Sequence, residues 1–315
     1  MNGENSMTDI KIFLKENKGL IILAAFAVIV FCIFFLSKNK KDDVIINTEQ
    51  TIDKKADYQS VLDSIEAKSF YVYDILDKKP IFSKDEHLKL PLASITKLMS
   101  GLVVLDIMPE DFKITIKKED IVVEGDSGLA MDEKWKLKDL LDYSLMTSSN
   151  DGIHAIASAL NYYQATNSKN IINIMNEKAV KLSLKDTIFI NETGLDVDKN
   201  MSGAYSSAYD VSLLLEKIIN ENPSLISNTN KQNKDFISES NIKHAAQNTN
   251  VSTNQISGLI ASKTGFTNLA GGNLAIVFDA GFMHPIAVVV LGSTIDGRFS
   301  DIVKLAKITL EKLSE

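Results

Sequence analysis

The sequence predicts an α+β fold, in which helices pack on one mixed sheet. Strand-like stretches lie near both ends of the globular part, and amphipathic helical stretches lie between them. This order differs from the regular alternation of strands and helices that builds parallel βαβ units. Short connections between the C-terminal strands favour antiparallel hairpins.

The first half of the globular part begins with strands and continues as helices. Residues 68–75 (KSFYVYDI) predict a strand, and the turn LDKKP leads to a second strand near Ile81. Helical spacing of apolar residues follows in five stretches: 94–108, 136–146, 152–163, 171–184 and 208–220. Ser94 stands at the N-cap or in the first turn of the first helix.

The C-terminal part predicts three strands and one helix. The strands are 258–265, 272–280 and 284–293, and the last two are nearly continuous apolar runs. Such runs indicate a sheet that is covered on both faces. Residues 299–313 predict an amphipathic helix.

Four regions are predicted along the chain. Residues 1–18 form a polar tail, 38–62 a polar stalk and 63–315 the globular domain. Residues 19–37 carry no charge, and their apolar core of 17 residues would span about 26 Å as a helix. We therefore expect a transmembrane signal anchor; a cleaved signal peptide is the alternative, but no A-x-A site follows. Lysines flank both sides, so charge does not decide the orientation.

Composition makes several functions poor candidates. The net charge of −7 disfavours nucleic-acid binding. The single cysteine, Cys32, permits no disulfide framework. The four histidines show no paired metal spacing, so neither a metal site nor a cofactor is predicted, and His154 is expected to pack in its helix.

The segment GDSG at 125–128 resembles the nucleophile segment of chymotrypsin-like proteases. That mechanism needs a histidine base and an aspartate, and only His87 lies upstream. The helix-rich middle of the chain also contradicts a double β-barrel. Ser127 is therefore predicted to be a turn residue.

The stretch SITK is the better candidate for a nucleophile. Ser94 and Lys97 stand at i and i+3, so they share one helix face. A serine hydroxyl needs a nearby base, and lysine becomes a base when burial lowers its pKa. The apolar neighbours of Lys97 favour such burial.

Two further motifs follow in a fixed order. Ser148 and Asn150 form S-x-N in a break between two apolar helices, and K-T-G occupies 263–265 on a strand. S-x-x-K and S-x-N recur elsewhere in the chain and are weak alone. The three motifs in this order, on a helix start, an interhelical loop and a strand, form a strong signal.

These residues resemble the penicillin-binding protein and serine β-lactamase superfamily, and most of all its D-alanyl-D-alanine carboxypeptidases. The resemblance covers about residues 63–315. It is carried by PLASITKLMSG, LMTSSNDG, INETGLD, YSSAYDVS, AQNTN and GLIASKTGFTNLAGGNLA. It implies an antiparallel five-stranded sheet flanked by helices with a mostly helical subdomain. The one transmembrane helix that we expect before it is predicted from residues 19–37, and an N-terminal anchor differs from many members of the family.

The resemblance also implies a role for each motif residue. Ser94 is the nucleophile, Lys97 its base, and Ser148 relays a proton to the leaving amine. The substrate-binding residues are Asn150, Lys263, Thr264, Gly265 and Phe266. Among them Asn150 orients substrate and Lys97, Thr264 bonds the substrate carboxylate, and Gly265 lets the substrate approach the strand. The backbone N–H groups of Ser94 and Phe266 form the oxyanion hole.

The implied substrate is a peptidoglycan stem peptide that ends in D-Ala-D-Ala, and β-lactams are the implied inhibitors. Such a substrate lies outside the cytoplasm. We therefore expect a single-pass membrane protein with a cytoplasmic N-terminus and an extracytoplasmic catalytic domain.

Two alternatives stay open. A class A-like serine β-lactamase uses the same motifs plus a glutamate in E-x-x-L-N, and this chain has Glu192-x-x-Leu195-Asp196. The segment fits the carboxypeptidase pattern N-x-x-G-L better, so Glu192 is predicted to be a surface turn residue. The other alternative is a non-catalytic, membrane-anchored penicillin-binding sensor.

Arg298 is the only arginine among 34 lysines and arginines. The family carries an arginine in this region that helps to hold the terminal carboxylate of the substrate. A guanidinium fork fits a planar carboxylate better than an ammonium does. A solvated arginine, or a partner for Asp296 or Asp301, is the alternative.

Overall fold

The computed structural model describes residues 58–122, 124–125, 127–164 and 169–315. The chain divides into two units, 1–60 and 61–315, and the fold below is that of the second. The predicted anchor at 19–37 and most of the predicted stalk lie outside the described residues. None of the described helices is both long and apolar enough to cross a bilayer.

Helices and strands follow one another largely as the sequence predicts. The α-helices are α1 (Lys97–Leu105), α2 (Leu137–Thr147), α3 (Asn150–Tyr163), α4 (Ile171–Lys181), α5 (Ala208–Glu221) and α6 (Gly297–Leu313). The strands are β1 (Ser69–Asp74), β2 (Lys79–Lys84), β3 (Leu90–Pro91), β4 (Lys113–Thr115), β5 (Lys134–Lys136), β6 (Ile188–Phe189), β7 (Ala204–Ser206), β8 (Asn233–Ile237), β9 (Lys243–Gln247), β10 (Leu259–Thr267), β11 (Gly271–Asp279) and β12 (Pro285–Ser293).

The largest sheet has five strands in the order β10-β11-β12-β1-β2. Every neighbouring pair is antiparallel, which confirms the α+β class and the predicted hairpins. The expectation of a mixed sheet, with parallel as well as antiparallel pairs, is wrong. The connections from β10 to β11 and from β11 to β12 are too short for the crossover that parallel pairing needs. β10 stands at the edge of the sheet.

Helices cover this sheet. α5 packs on β1 and β12, and α6 packs on β11 and β12. β12 is buried at every position from Ile286 to Leu291. Burial of consecutive residues means that both faces are covered, since alternate side chains point to opposite faces.

The helical subdomain is built around α1. Each residue of α1 from Lys97 to Val104 is buried, and the helix contacts α2, α3 and α4. The start of α3 is fixed by an N-cap, because Ser149 Oγ accepts from the backbone N–H of Gly152 at 2.9 Å. This cap begins α3 directly after the S-x-N serine.

Candidate active site

Ser94 lies on a 3₁₀ turn, Ala93–Thr96, that leads into α1. Ala93 has φ +48°, which is a left-handed conformation that a residue with a Cβ adopts at a cost. Ala93 and Ile95 are buried, whereas Ser94 is partly exposed. The turn therefore presents the hydroxyl of Ser94 at the surface of a packed core.

Lys97 lies one helical turn beyond Ser94 and is fully buried. Its Nζ is 2.7 Å from Ser94 Oγ and donates to Asn150 Oδ1 at 2.7 Å and to the Thr193 carbonyl at 3.0 Å. Burial lowers the pKa of Lys97 to about 7, against an opposing effect of Glu192. In the neutral amine the two acceptors hold two N–H bonds, which leaves the lone pair for the Ser94 hydroxyl.

Asn150 is the first residue of α3, and its amide is held at both ends. Oδ1 accepts from Lys97, and Nδ2 donates to the Glu124 carbonyl at 2.6 Å. Because an amide has one accepting and one donating end, these partners fix its orientation. The 124–125 segment thus helps to place an acceptor for Lys97.

Ser148 and Lys263 form a second contact in the site. Ser148 ends α2 with φ +63° and is partly exposed. Lys263 on β10 is 2% exposed, and its Nζ donates to Ser148 Oγ at 2.8 Å and to the Thr264 carbonyl at 2.9 Å. Burial, together with the charges of Lys97 and Arg298, lowers the pKa of Lys263.

Thr264 is buried beside Thr249, a residue of the AQNTN segment for which the sequence predicts no role. Its Oγ1 lies 2.5 Å from Thr249 Oγ1. Thr249 follows β9, and its N–H donates to the Met146 carbonyl near the end of α2. This segment therefore positions the hydroxyl of K-T-G.

Gly265 is where β10 packs on the nucleophile turn. A Cβ here would lie 2.7 Å from the Leu92 carbonyl and 3.3 Å from Ala93 Cβ. The close approach that requires glycine is thus to the protein itself. The predicted approach of a substrate to Gly265 stays a prediction, as does the oxyanion role of the Phe266 N–H; the Phe266 side chain is 46% exposed.

Arg298 lies at the start of α6, against β10. Its Nη1 donates to the Gly265 carbonyl at 2.7 Å, and its guanidinium lies 4.7 Å from the ring centre of Phe299. Only 8% of the residue is exposed, so the alternative of a solvated arginine is wrong. Asp301 accepts from the Glu66 and Ala67 N–H groups and from Ser293 Oγ. Burial lowers the pKa of Arg298.

Glu192 is not the surface residue that the sequence predicts. Its side chain is 15% exposed, and Oε1 lies 2.6 Å from His154 Nδ1. Its own carbonyl accepts from Ser100 Oγ at 2.6 Å. The turn that carries Glu192 packs against α1, which a local turn pattern does not reveal.

Ser127 lies outside any helix, strand or assigned turn, and its side chain is anchored. Its Oγ lies 3.0 Å from Asp151 Oδ2 and accepts from Ser149 Oγ at 2.7 Å. These contacts tie the segment around GDSG to the first turn of α3.

The fold and the site define a protein of the penicillin-binding class with a serine nucleophile. The site consists of two hydrogen-bonded groups, Ser94–Lys97–Asn150 and Ser148–Lys263. The match to the family model described as D-alanyl-D-alanine carboxypeptidase covers residues 53–294, more than half of the chain. The chain therefore belongs to the D-alanyl-D-alanine carboxypeptidase family.

Two curated relatives are 28% and 32% identical to the chain over the aligned residues. D-alanyl-D-alanine carboxypeptidase DacF of Bacillus subtilis is 28% identical over 76% of this chain and 61% of its own length. A D-alanyl-D-alanine endopeptidase of Escherichia coli is 32% identical over 66% of this chain and 65% of its own length. The chain thus spans less than two thirds of the length of these relatives.

Solved structures agree on the fold. Ampicillin-bound penicillin-binding protein D2 of Listeria monocytogenes has a TM-score of 0.66 and 25% identity, over 78% of this chain and 97% of that chain. The Streptomyces K15 DD-transpeptidase has a TM-score of 0.68 at 22% identity, over 78% of this chain and 98% of that chain, and shows the fold alone.

Proposed function

We propose that the protein is a serine-type D-Ala-D-Ala carboxypeptidase that removes the terminal D-Ala from peptidoglycan stem peptides and is acylated by β-lactams. The observation that carries this proposal is the buried Lys97 amine 2.7 Å from Ser94 Oγ. A serine with a neutral amine at hydrogen-bond distance is an activated nucleophile. Membership of the family supplies the substrate class.

Acylation begins when Ser94 Oγ attacks the carbonyl carbon of the penultimate D-Ala. The Ser94 proton passes to Lys97 Nζ, and the C–O bond forms as the carbonyl π electrons move to oxygen. The backbone N–H groups of Ser94 and Phe266 receive that oxyanion. The positive charge that develops on Lys97 is held by Asn150 Oδ1 and the Thr193 carbonyl.

The tetrahedral intermediate collapses when its C–N bond breaks and the terminal D-Ala leaves. Ser148 Oγ gives its hydroxyl proton to the leaving amine and regains one from protonated Lys97, while Lys263 Nζ stays bonded to that oxygen at 2.8 Å. Lys97 is then neutral again. It takes a proton from the water that attacks the acyl carbon and returns it to Ser94 Oγ as the ester C–O bond breaks. The net reaction is hydrolysis of one D-Ala–D-Ala bond.

The terminal carboxylate is recognised by the cationic side of the site. Lys263 belongs to β10, and Arg298 donates to the Gly265 carbonyl of the same strand. Thr264, between Lys263 and Gly265, adds a hydroxyl. As β10 is an edge strand, an extended peptide can pair with its outer edge. A cavity of about 450 Å³ beside Phe266, lined also by Glu124, Leu195 and Asp196, offers room for the rest of the stem.

The membrane anchor at 19–37 is part of the same proposal. It holds the catalytic domain on the outer side of the membrane, where the wall substrate lies, with the N-terminus in the cytoplasm. Protease treatment of intact cells should digest residues 38–315. A domain protected in intact cells and cut only after lysis would contradict this placement.

The deciding experiment uses penicillin and a stem pentapeptide in parallel. Mass spectrometry should find one penicillin adduct on the Ser94 peptide of the wild type and none in Ser94→Ala, and the wild type should release free D-Ala. An adduct with no D-Ala release would favour the sensor, and rapid repeated hydrolysis of a chromogenic cephalosporin would favour the β-lactamase. No adduct at all would overturn the proposal.

An endopeptidase is a second candidate, because a relative of that name is 32% identical to the chain. The acylation chemistry is the same, but the leaving group is an amine of a cross-linked stem rather than free D-Ala. A cross-linked muropeptide dimer is therefore assayed beside the pentapeptide. Cleavage of the dimer to monomers would assign this second activity.

A further inference from the structure

His154 and Glu192 form an ion pair beside the active site. Nδ1 of His154 lies 2.6 Å from Oε1 of Glu192, and the side chains are 36% and 15% exposed. His154 belongs to α3, whereas Glu192 belongs to the segment between β6 and β7, three residues after β6 ends. The pair therefore joins two segments that are distant in sequence.

Both segments carry an acceptor for Lys97. Asn150 precedes His154 by one helical turn on α3, and its Oδ1 accepts from Lys97 Nζ at 2.7 Å. Thr193 directly follows Glu192, and its carbonyl accepts from the same Nζ at 3.0 Å. The ion pair thus connects the two supports of the catalytic amine.

We propose that His154 and Glu192 act as a positioning pair that sets the charge facing Lys97, and through it the pH range in which Ser94 is acylated. Neither residue touches the substrate in this scheme. The inference rests on the proposed function, because it assigns Lys97 the role of base.

The charges around the pair support this role. Glu192 raises the pKa of Lys97 against the larger effect of burial. Burial raises the pKa of Glu192, but the hydrogen bond and charge of His154 and the charge of Lys97 bring it below its usual value. Lys263 is the cation that faces Lys97 from β10.

His154 is the member of the pair whose side-chain type ordinarily titrates closest to neutral pH. Its pKa is raised by the hydrogen bond to Glu192 and by the charges of Asp120 and Asp151, despite burial. When His154 is protonated it balances the Glu192 carboxylate. When His154 is neutral, no cation on His154 balances the Glu192 carboxylate, and the carboxylate raises the pKa of Lys97 more strongly.

This arrangement predicts opposite effects for the two members. Glu192→Gln removes the anion, so the pKa of Lys97 falls and the acid limb of acylation moves to lower pH. His154→Gln keeps a hydrogen-bond donor but removes the cation, so the limb moves to higher pH. Each shift should be about 0.5 pH unit or more. In the double variant, the acid limb of acylation should lie near the pH found for Glu192→Gln.

The experiment measures the rate of penicillin acylation of the full chain from pH 5 to 9, in the wild type and the three variants. Glu177→Gln and His87→Gln are the controls, because each alters an ion pair elsewhere on the domain, Lys169–Glu177 and His87–Asp186. Opposite shifts in the two variants, with unshifted controls, support the inference. If the acylation rate falls at the same pH in the wild type and in every variant, the inference about the pair is overturned. The proposed function stays intact in that case.

A second measurement needs no β-lactam. The titrations of His154 and of ¹³Cε-labelled Lys97 are followed by NMR, assigned through His154→Gln and Lys97→Met. Glu192→Gln should lower the pKa of both groups. If the wild type is never acylated, the proposed function fails, and unchanged NMR titrations would separately refute the pairing. If one variant does not fold, judged by circular dichroism, the sign of the other still decides.

Discussion

Arg298 Nη1 donates to the Gly265 carbonyl at 2.7 Å, so the only arginine of the chain is bonded to the K-T-G strand. The bond uses one prong of the guanidinium. Gly265 packs in turn on Leu92 and Ala93, so this strand connects the arginine to the nucleophile turn. This position suits a cation that adds positive charge to the carboxylate end of the cleft.

Arg298→Ala should lower kcat/KM for D-Ala release by about 10- to 100-fold, as charged hydrogen bonds are worth about 1.5–3 kcal/mol. Arg298→Lys should not restore it fully, because an ammonium lacks the fork. A pentapeptide with a C-terminal amide separates recognition from packing. The variants should lose little on the amide, and an equal loss on both substrates would assign Arg298 a structural role.

Acylation should depend on pH through Lys97. Its folded pKa of about 7 lies below the ordinary lysine value, so the neutral base predominates above pH 7 and is lost as the pH falls through 7. The acylation rate should therefore be half-maximal near pH 7 on its acid limb. Lys97→Arg should reduce the rate by about 10²–10⁴-fold, since guanidinium stays protonated. A rate constant that is flat from pH 5 to 9 would contradict the assignment.

The large elements of the fold were predictable because their signals are local. The apolar runs of β11 and β12 and the helical spacing of α2, α3 and α5 identified these elements to within a few residues. The short strands β3 to β9 were missed, since strands of two to five residues carry little periodicity. β8 and β9 are held by pairing with each other, which no single segment shows.

Site residues that belong to a sequence motif could be predicted. A contact made by a backbone carbonyl, or by a side chain outside a motif, could not. S-x-x-K, S-x-N and K-T-G located Ser94, Ser148 and Lys263. The Thr193 carbonyl bonds Lys97 whatever the side chain, so spacing gives no signal for it. The AQNTN segment gives no role for the Thr249 hydroxyl, because its partner, Thr264, lies 15 residues further along the chain and meets it only in the folded domain.

Thr249 should contribute to catalysis through Thr264. Thr249→Val removes a hydroxyl 2.5 Å from Thr264 Oγ1 and should lower kcat/KM about 3- to 10-fold, the effect of one hydrogen bond of about 0.5–1.5 kcal/mol. Thr249→Ser keeps the hydroxyl and should retain most activity. Thr309→Val removes a buried hydroxyl in α6 and is the control. Equal kinetics in the valine variants at both sites would show that Thr249 only packs.

Gly194 should be required for the nucleophile turn. It has φ +81°, and a Cβ there would lie 1.9 Å from the Ala93 carbonyl, directly before Ser94. Gly194→Ala should therefore push this turn away, lower the acylation rate by at least about 10-fold and destabilise the fold by about 1–3 kcal/mol. Gly128 is the matched control: it also has positive φ, +76°, but a Cβ there meets no atom within 4 Å. Gly128→Ala should carry only the backbone strain, of about 1 kcal/mol, and acylate Ser94 normally. Penicillin labelling and thermal unfolding of both variants test this, and equal labelling rates would show that the turn tolerates the displacement.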